Sequence, residues 1–165
     1  MISPIMHDDS DGFTVRQARE DDVSRLAEFE VEIAKISFAD DAITAVEVHE
    51  KRLSKAMARS RDGMFVACRG DRPTDGWVWI TVNTNPMSGQ CYANFRSLAV
   101  ADVPERTLIG ELLLRRGLEY VRAQGVEEIV GKVHVQNVRM RALYRQFDFE
   151  ATHLTMRLRK VGSRS

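Results

Sequence analysis

The sequence predicts an α/β fold of the mixed α+β kind: three layers, with a mixed, mostly antiparallel central sheet of about six or seven strands and helices on both faces. Three observations carry that expectation. Short apolar or alternating runs recur as strands from Phe13 onward, segments of helical period separate them, and strand, helix and strand follow directly in the last third of the chain. That last unit implies a parallel strand pair, and parallel pairs open ligand crevices beyond the carboxyl ends of their strands.

Phe13-Thr14-Val15-Arg16 alternates as a short strand, and Glu20-Asp21-Asp22 supplies carboxylates suited to the positive end of a following helix. Leu26, Phe29, Ile33 and Ile36 recur at steps of three and four, which predicts a helix from about Asp21 to Ile36. After the polar break at Asp40-Asp41, a second helix is expected from Thr44 to Arg59 with Val46, Leu53 and Met57 inward. Met64 to Cys68, Trp77 to Val82 and Tyr92 to Val100 read as three strands joined by the turns Arg72-Pro73-Thr74-Asp75-Gly76 and Asn85-Pro86-Met87-Ser88-Gly89. Leu108, Leu112, Leu118 and Val121 mark the next helix, closed near Gln124-Gly125, and a strand is expected from Ile129 to Val135. A last helix over Val138 to Gln146, with Met140, Leu143 and Phe147 along one side, leads to a last strand from Ala151 to Leu158. Residues 12–160 are expected to form one domain between flexible tails at 1–11 and 161–165.

Charge and composition narrow the function. The chain of 165 residues carries 24 basic and 24 acidic side chains, so no net field recruits nucleic acid, and a phosphate-bearing ligand has to be held locally. No run approaches the roughly 20 apolar residues that cross a bilayer, and Asp8, Asp9 and Asp11 are the wrong chemistry for a leader, so neither membrane nor export is expected. Cys68 and Cys91 have no metal-ligand spacing, which points to free thiols in a reducing cytoplasm and to no metal.

The strand ending Leu98-Ala99-Val100, the stretch Val103 to Gly110, and Asn137-x6-Tyr144-x4-Phe149 together resemble the GCN5-related N-acetyltransferase (GNAT) family. The resemblance spans residues 13 to 158 and implies acetyl-coenzyme A as co-substrate. It implies that backbone groups at Leu98 and Val100 hold pantetheine and polarise the thioester, and that the helix start over Arg106, Thr107, Leu108, Ile109, Gly110 and Glu111 binds the pyrophosphate, where free N–H groups favour an anion. Asn137 would cap its helix or touch the cofactor arm, and Tyr144 would protonate the departing thiolate. The family loop reads Gln/Arg-x-x-Gly-x-Gly/Ala; here Glu105 stands at its first position and Leu108 at its first Gly, Asp148 replaces the Gly before the Phe, and Asn94 replaces the strand Glu that serves many members as base. Arg106 is the candidate to restore the missing charge.

With Asn94 unable to take a proton, deprotonation falls to His134 first, whose imidazole titrates in a useful range, and otherwise to Glu30, Glu47 or water. Asn94 and Arg96 share a strand face by period two, and Arg96 there suits a carboxylate on the acceptor. The expected activity is acetyl transfer to the amine of a small molecule or amino acid by direct attack in a ternary complex, by a monomer or homodimer. The competing expectations are a fold that has lost transfer and acts as an acyl-coenzyme A sensor or interaction subunit, and a transferase with an altered donor.

Overall fold

The computed structural model describes residues 11–159; residues 1–10 and 160–165, which hold the expected tails except Asp11, lie outside them. Nine regular elements follow in order: β1 (Phe13–Gln17), α1 (Val23–Phe38), α2 (Val46–Arg59), β2 (Met64–Arg69), β3 (Gly76–Thr84), β4 (Cys91–Val100), α3 (Arg106–Ala123), β5 (Ile129–Gly131) and α4 (Val138–Gln146). Single 3-10 turns precede and follow α1. The strands form one sheet in sequence order, antiparallel from β1 to β4, with β5 parallel to β4.

Both faces of the sheet are covered. Leu26 and Phe29 of α1 and Leu53 and Met57 of α2 pack with Met64, Val66 and Trp77 on one face, while Ile109, Leu113, Leu114 and Val121 of α3 pack with Phe65, Val78, Ile80 and Phe95 on the other. Burial on two sides is why Met64 to Cys68 reads as a continuous apolar run. Each of these side chains removed from water contributes about 1.5–3 kcal/mol.

One irregularity positions everything that follows. Trp79 pairs with Ser97 but Ile80 with Phe95, so Arg96 is an extra residue in β4, a β-bulge. The inward alternation slips by one there: Ala93, Phe95 and Leu98 belong to the cluster under α3, whereas Ala99 and Ala101 belong to the cluster under α1 and α2.

Four expectations are corrected. The sheet has five strands among the described residues, not six or seven. The strand expected over Ile129 to Val135 stops at Gly131, where the chain turns toward α4. Residues 151–158 have the alternation of a strand but pair with nothing described, leaving Leu154, Met156 and Leu158 exposed; three-residue β5 offers only a short edge to build on. The buried stripe of α3 is Ile109, Gly110, Leu113, Leu114, Gly117 and Val121, rotated by about one residue from the expected Leu108, Leu112 and Leu118, which are half-buried. Gly117 sets that rotation, because a Cβ on it would meet Ile80 Cδ1 at 2.7 Å.

Candidate active site

Parallel pairing between β4 and β5 lasts three residues, Ala93 with Ile129, Asn94 with Val130 and Phe95 with Gly131, and then the strands part. From the Arg96 bulge to Val100 the β5-side edge of β4 carries no strand partner among the described residues. Backbone donors and acceptors left open inside a fold want a ligand or water. The cleft so made is lined by Arg96, Ser97 and Leu98 from β4, Lys132, Val133 and His134 beyond β5, Asn137, Met140 and Tyr144 around α4, and Ile33 and Ser37 of α1. Its volume, about 70 Å³, suits a small reacting group, with larger parts of a ligand lying outside. A cavity of about 700 Å³ lies elsewhere, between the start of α1 and the 71–75 turn, and holds none of the expected site residues.

Tyr144 is set by the way α4 ends. Asp148 N–H bonds the Arg145 carbonyl and Phe149 N–H the Tyr144 carbonyl, each at 3.0 Å, with Asp148 at φ 63°. This is a complete Schellman turn, whose usual apolar contact is here the Tyr144 and Phe149 rings at 4.9 Å. The Tyr-x4-Phe spacing is thus the cap geometry itself, and Asp148 occupies the left-handed position that glycine normally fills. The phenol is 8% exposed, tilted against Phe95, and its hydroxyl would lie 2.8 Å from a Cβ on Gly131. Burial pushes its pKa up to about 12, so at neutral pH the hydroxyl keeps its proton and faces a site as a donor.

Beyond the unpaired edge of β4, α3 begins. Ile109 N–H is bonded to Glu105 O and Arg106 N–H to Val103 O, leaving the Thr107 and Leu108 N–H groups without a described partner. Leu108 packs its side chain on the core, so it does not stand in front of those donors. Glu105 is drawn away by Arg69, Oε1 to Nη1 at 3.4 Å. Arg106 and Arg139 both reach Asp102, at 3.6 and 3.0 Å, which puts two guanidinium groups and one carboxylate at this helix start. Gly110 has a packing task besides the one the loop pattern suggests: a Cβ there would meet Leu143 Cδ2 at 2.9 Å, so the glycine lets α3 and α4 approach.

The profile of the Acetyltransferase (GNAT) family matches residues 16–149. The chain belongs to that family. Solved structures share its fold at low identity: a possible acetyltransferase from Clostridium difficile 630 (17% identity, TM-score 0.70, covering 90% of this chain and 97% of that one), an acetyltransferase from Trypanosoma brucei (17%, 0.65, 88% and 98%) and glucosamine-6-phosphate N-acetyltransferase from Arabidopsis thaliana (11%, 0.63, 90% and 98%). No curated protein sequence matches this one.

Against that family frame the expected residues sort clearly. Leu98, Arg96, His134, Asn137 and Tyr144 come together on the cleft, whereas Asn94 stays in the paired part of β4, outside the lining. Val100 continues the open edge, half-buried beside Gly110. Ile109 is fully buried, and Glu111 accepts from Gln146 Nε2 at 2.5 Å, so neither side chain is free for a ligand. Asn137 caps α4, its Oδ1 accepting from Met140 N–H at 3.2 Å, while its amide nitrogen has no described partner. His134 Nδ1 accepts from Gln136 N–H at 3.1 Å. A neutral imidazole held that way carries its hydrogen on Nε2 and donates, so the bond argues against the base expected there. Glu47 is exposed on α2, outside the lining. Ser97 and Lys132 escaped the sequence reading; the bulge that turns Ser97 inward has no signature in period-two alternation.

Proposed function

We propose that this GNAT chain, through a single domain over residues 12–160, transfers the acetyl group of acetyl-coenzyme A to the amine of a small molecule or amino acid by direct attack in a ternary complex. The observation that carries the reading is the open β4 edge ending against a buried, protonated Tyr144. Amides along Leu98 to Val100 hold the pantetheine arm and donate to the thioester oxygen, an effect of about 3 kcal/mol per donor. The Thr107 and Leu108 N–H groups, with Arg106, receive the pyrophosphate. Tyr144 gives its proton to the departing sulfur, whose own basicity rises in the same dry surroundings. Arg96, exposed and without a described ion-pair partner, meets an anionic group on the acceptor. The setting is cytoplasmic and the active unit a monomer or homodimer, with no metal, nucleic acid or membrane involved.

A second reading, coenzyme binding without transfer, draws on Gly110 serving helix packing and on Glu105 at the loop. Calorimetric titration with acetyl-coenzyme A, followed by an acceptor screen reading thiol release, separates the two. Micromolar binding with release supports transfer; binding with no release across amines and amino acids supports the second reading; no binding at millimolar ligand refutes both. Arg106→Ala weakens binding about five- to tenfold if Arg106 is a phosphate partner.

A further inference from the structure

One buried ionisable group remains unused by this reading. Glu30 of α1 is 9% exposed, yet it is bound on both oxygens: Oε1 accepts from the Ser97 hydroxyl at 2.5 Å and Oε2 meets Arg52 Nη2 of α2 at 2.7 Å. Burying a carboxylate is costly, and a tether between α1 and β4 would be served as well by apolar contact. Its position is specific. Glu30, Ile33 and Ser37 fall on one helix face at steps of three and four, and the last two line the cleft, so Glu30 lies one turn further along that wall. Ser97 reaches both: it lines the cleft and bonds Glu30. The Arg96 bulge makes this contact, since it moves the α1-facing side of β4 from the phase of Asn94 to that of Ser97.

We propose that Ser97 and Glu30 form the proton acceptor for the amine, in place of the carboxylate that Asn94 cannot be; the inference rests on the transfer reading above. The acceptor enters as an ammonium. Its proton passes to Ser97 Oγ as the Ser97 hydroxyl proton passes to Glu30 Oε1, and the freed lone pair forms the C–N bond at the thioester carbon. The C–S bond breaks and sulfur takes the Tyr144 proton. Nitrogen releases its second proton to solvent, Tyr144 regains one from solvent and Glu30 discharges its own, so one proton is released per acetyl group transferred. Arg52 is the charged group facing Glu30 from α2; across Ser97 the cleft carries Arg96 from β4 and Lys132 and His134 beyond β5, and no carboxylate lines it among the described residues. Glu30 is therefore the one negative group at hand for an ammonium. Ser97 touches the acceptor, and Glu30 acts through it.

Two small acceptors of different basicity test the assignment: methylamine, protonated at pH 7.5, and hydroxylamine, largely neutral there. Wild type, Glu30→Gln, Glu30→Asp and Ser97→Ala are compared by thiol release from acetyl-coenzyme A between pH 6 and 9, with coenzyme affinity and melting temperature measured alongside. Glu30→Gln and Ser97→Ala are expected to lose about 10²-fold or more in kcat/KM with methylamine and under about threefold with hydroxylamine, to show a methylamine rate that climbs with pH more steeply than wild type as the free amine becomes the only competent form, and to bind coenzyme normally; Glu30→Asp recovers part of the rate. Equal losses on both amines mean a structural tether and overturn the proposal, as does no loss on either. Should Glu30→Gln melt early, Ser97→Ala, which removes only a hydroxyl, carries the same comparison. Wild type that transfers to neither amine while binding coenzyme overturns the transfer reading and this inference with it; wild type that transfers while both variants match it overturns this inference alone.

Discussion

A methyl group added at Gly131 tests where the Tyr144 hydroxyl sits without altering Tyr144. In Gly131→Ala the new Cβ would lie 2.8 Å from the phenol oxygen and 3.2 Å from Cζ. Ordinary contact begins near 3.4 Å, so the hydroxyl has to retreat by about 0.6 Å. The ring cannot swing freely, because Phe95 and Phe149 hold it at centroid distances of 6.0 and 4.9 Å. Overpacking of this kind costs about 1–3 kcal/mol of stability. If misplacement of a reacting group by about 1 Å costs about 10²-fold, about 0.6 Å costs about tenfold in kcat.

The double variant isolates the contact. Tyr144→Phe alone removes a hydroxyl with no described hydrogen-bond partner, so it changes stability by under about 1 kcal/mol while slowing transfer by about 10²-fold. In the Tyr144→Phe background the Gly131→Ala clash is gone, and the two substitutions are expected to couple by at least about 1 kcal/mol in thermal or denaturant unfolding. Gly131→Ala with wild-type stability and wild-type thiol release would refute the placement. Additive stabilities would refute it as well.

Two further outcomes concern stability. Asp148→Gly removes a side chain from the left-handed end of α4 and is expected to stabilise the fold by about 0.5–1 kcal/mol, read as a rise of about 1–4 °C in melting temperature. At Asp22 burial favours the neutral acid but is outweighed by hydrogen bonds from Arg16, the Arg19 N–H and Thr74, so its pKa is held below the usual value. A carboxylate with a lowered folded pKa stabilises above its unfolded value near 4, and that contribution is lost as pH falls through the folded one; Asp22→Asn is therefore expected to cost about 2 kcal/mol at pH 7 and progressively less below about pH 4, in urea melts.

What the sequence disclosed follows its periodicities. The α4 boundaries and Asn137 at its cap were legible because a helix cap is local: its hydrogen bonds join residues within six positions of one another; the Tyr144 to Phe149 spacing was legible only through the family resemblance, and the cap it forms was not. The amphipathic stripes of α1 and α2 were legible in part for the same reason: Leu26, Phe29, Leu53 and Met57 are buried and Ile33 and Val46 half-buried, but Ile36, near the end of α1, is exposed. The site was legible only where it continued local rules. Arg96 and Ser97 depend on a bulge, which is a relation between two strands and leaves no mark on one. The face of α3 depends on Gly117 admitting Ile80, and the packing use of Gly110 depends on Leu143, partners 37 and 33 residues away in sequence. The expected final strand failed for the opposite reason: alternation at Leu154, Met156 and Leu158 states a preference for extended backbone but says nothing of whether a neighbouring edge is long enough.

The same bulge links the two departures from the family pattern. A regular β4 would keep Asn94 and Arg96 on one face, as period two predicts, and would turn Ser97 away from α1. With Arg96 inserted, Ser97 meets Glu30, and the pairing with β5 ends at Phe95, the residue before the bulge. One extra residue therefore brings the Ser97 hydroxyl onto a carboxylate from a helix, beside a strand edge left unpaired by β5. Under the proposed mechanism, Asn94 on the strand and the buried charge at Glu30 belong to one arrangement, in which the proton acceptor sits on the helix and the unpaired β4 backbone receives the thioester.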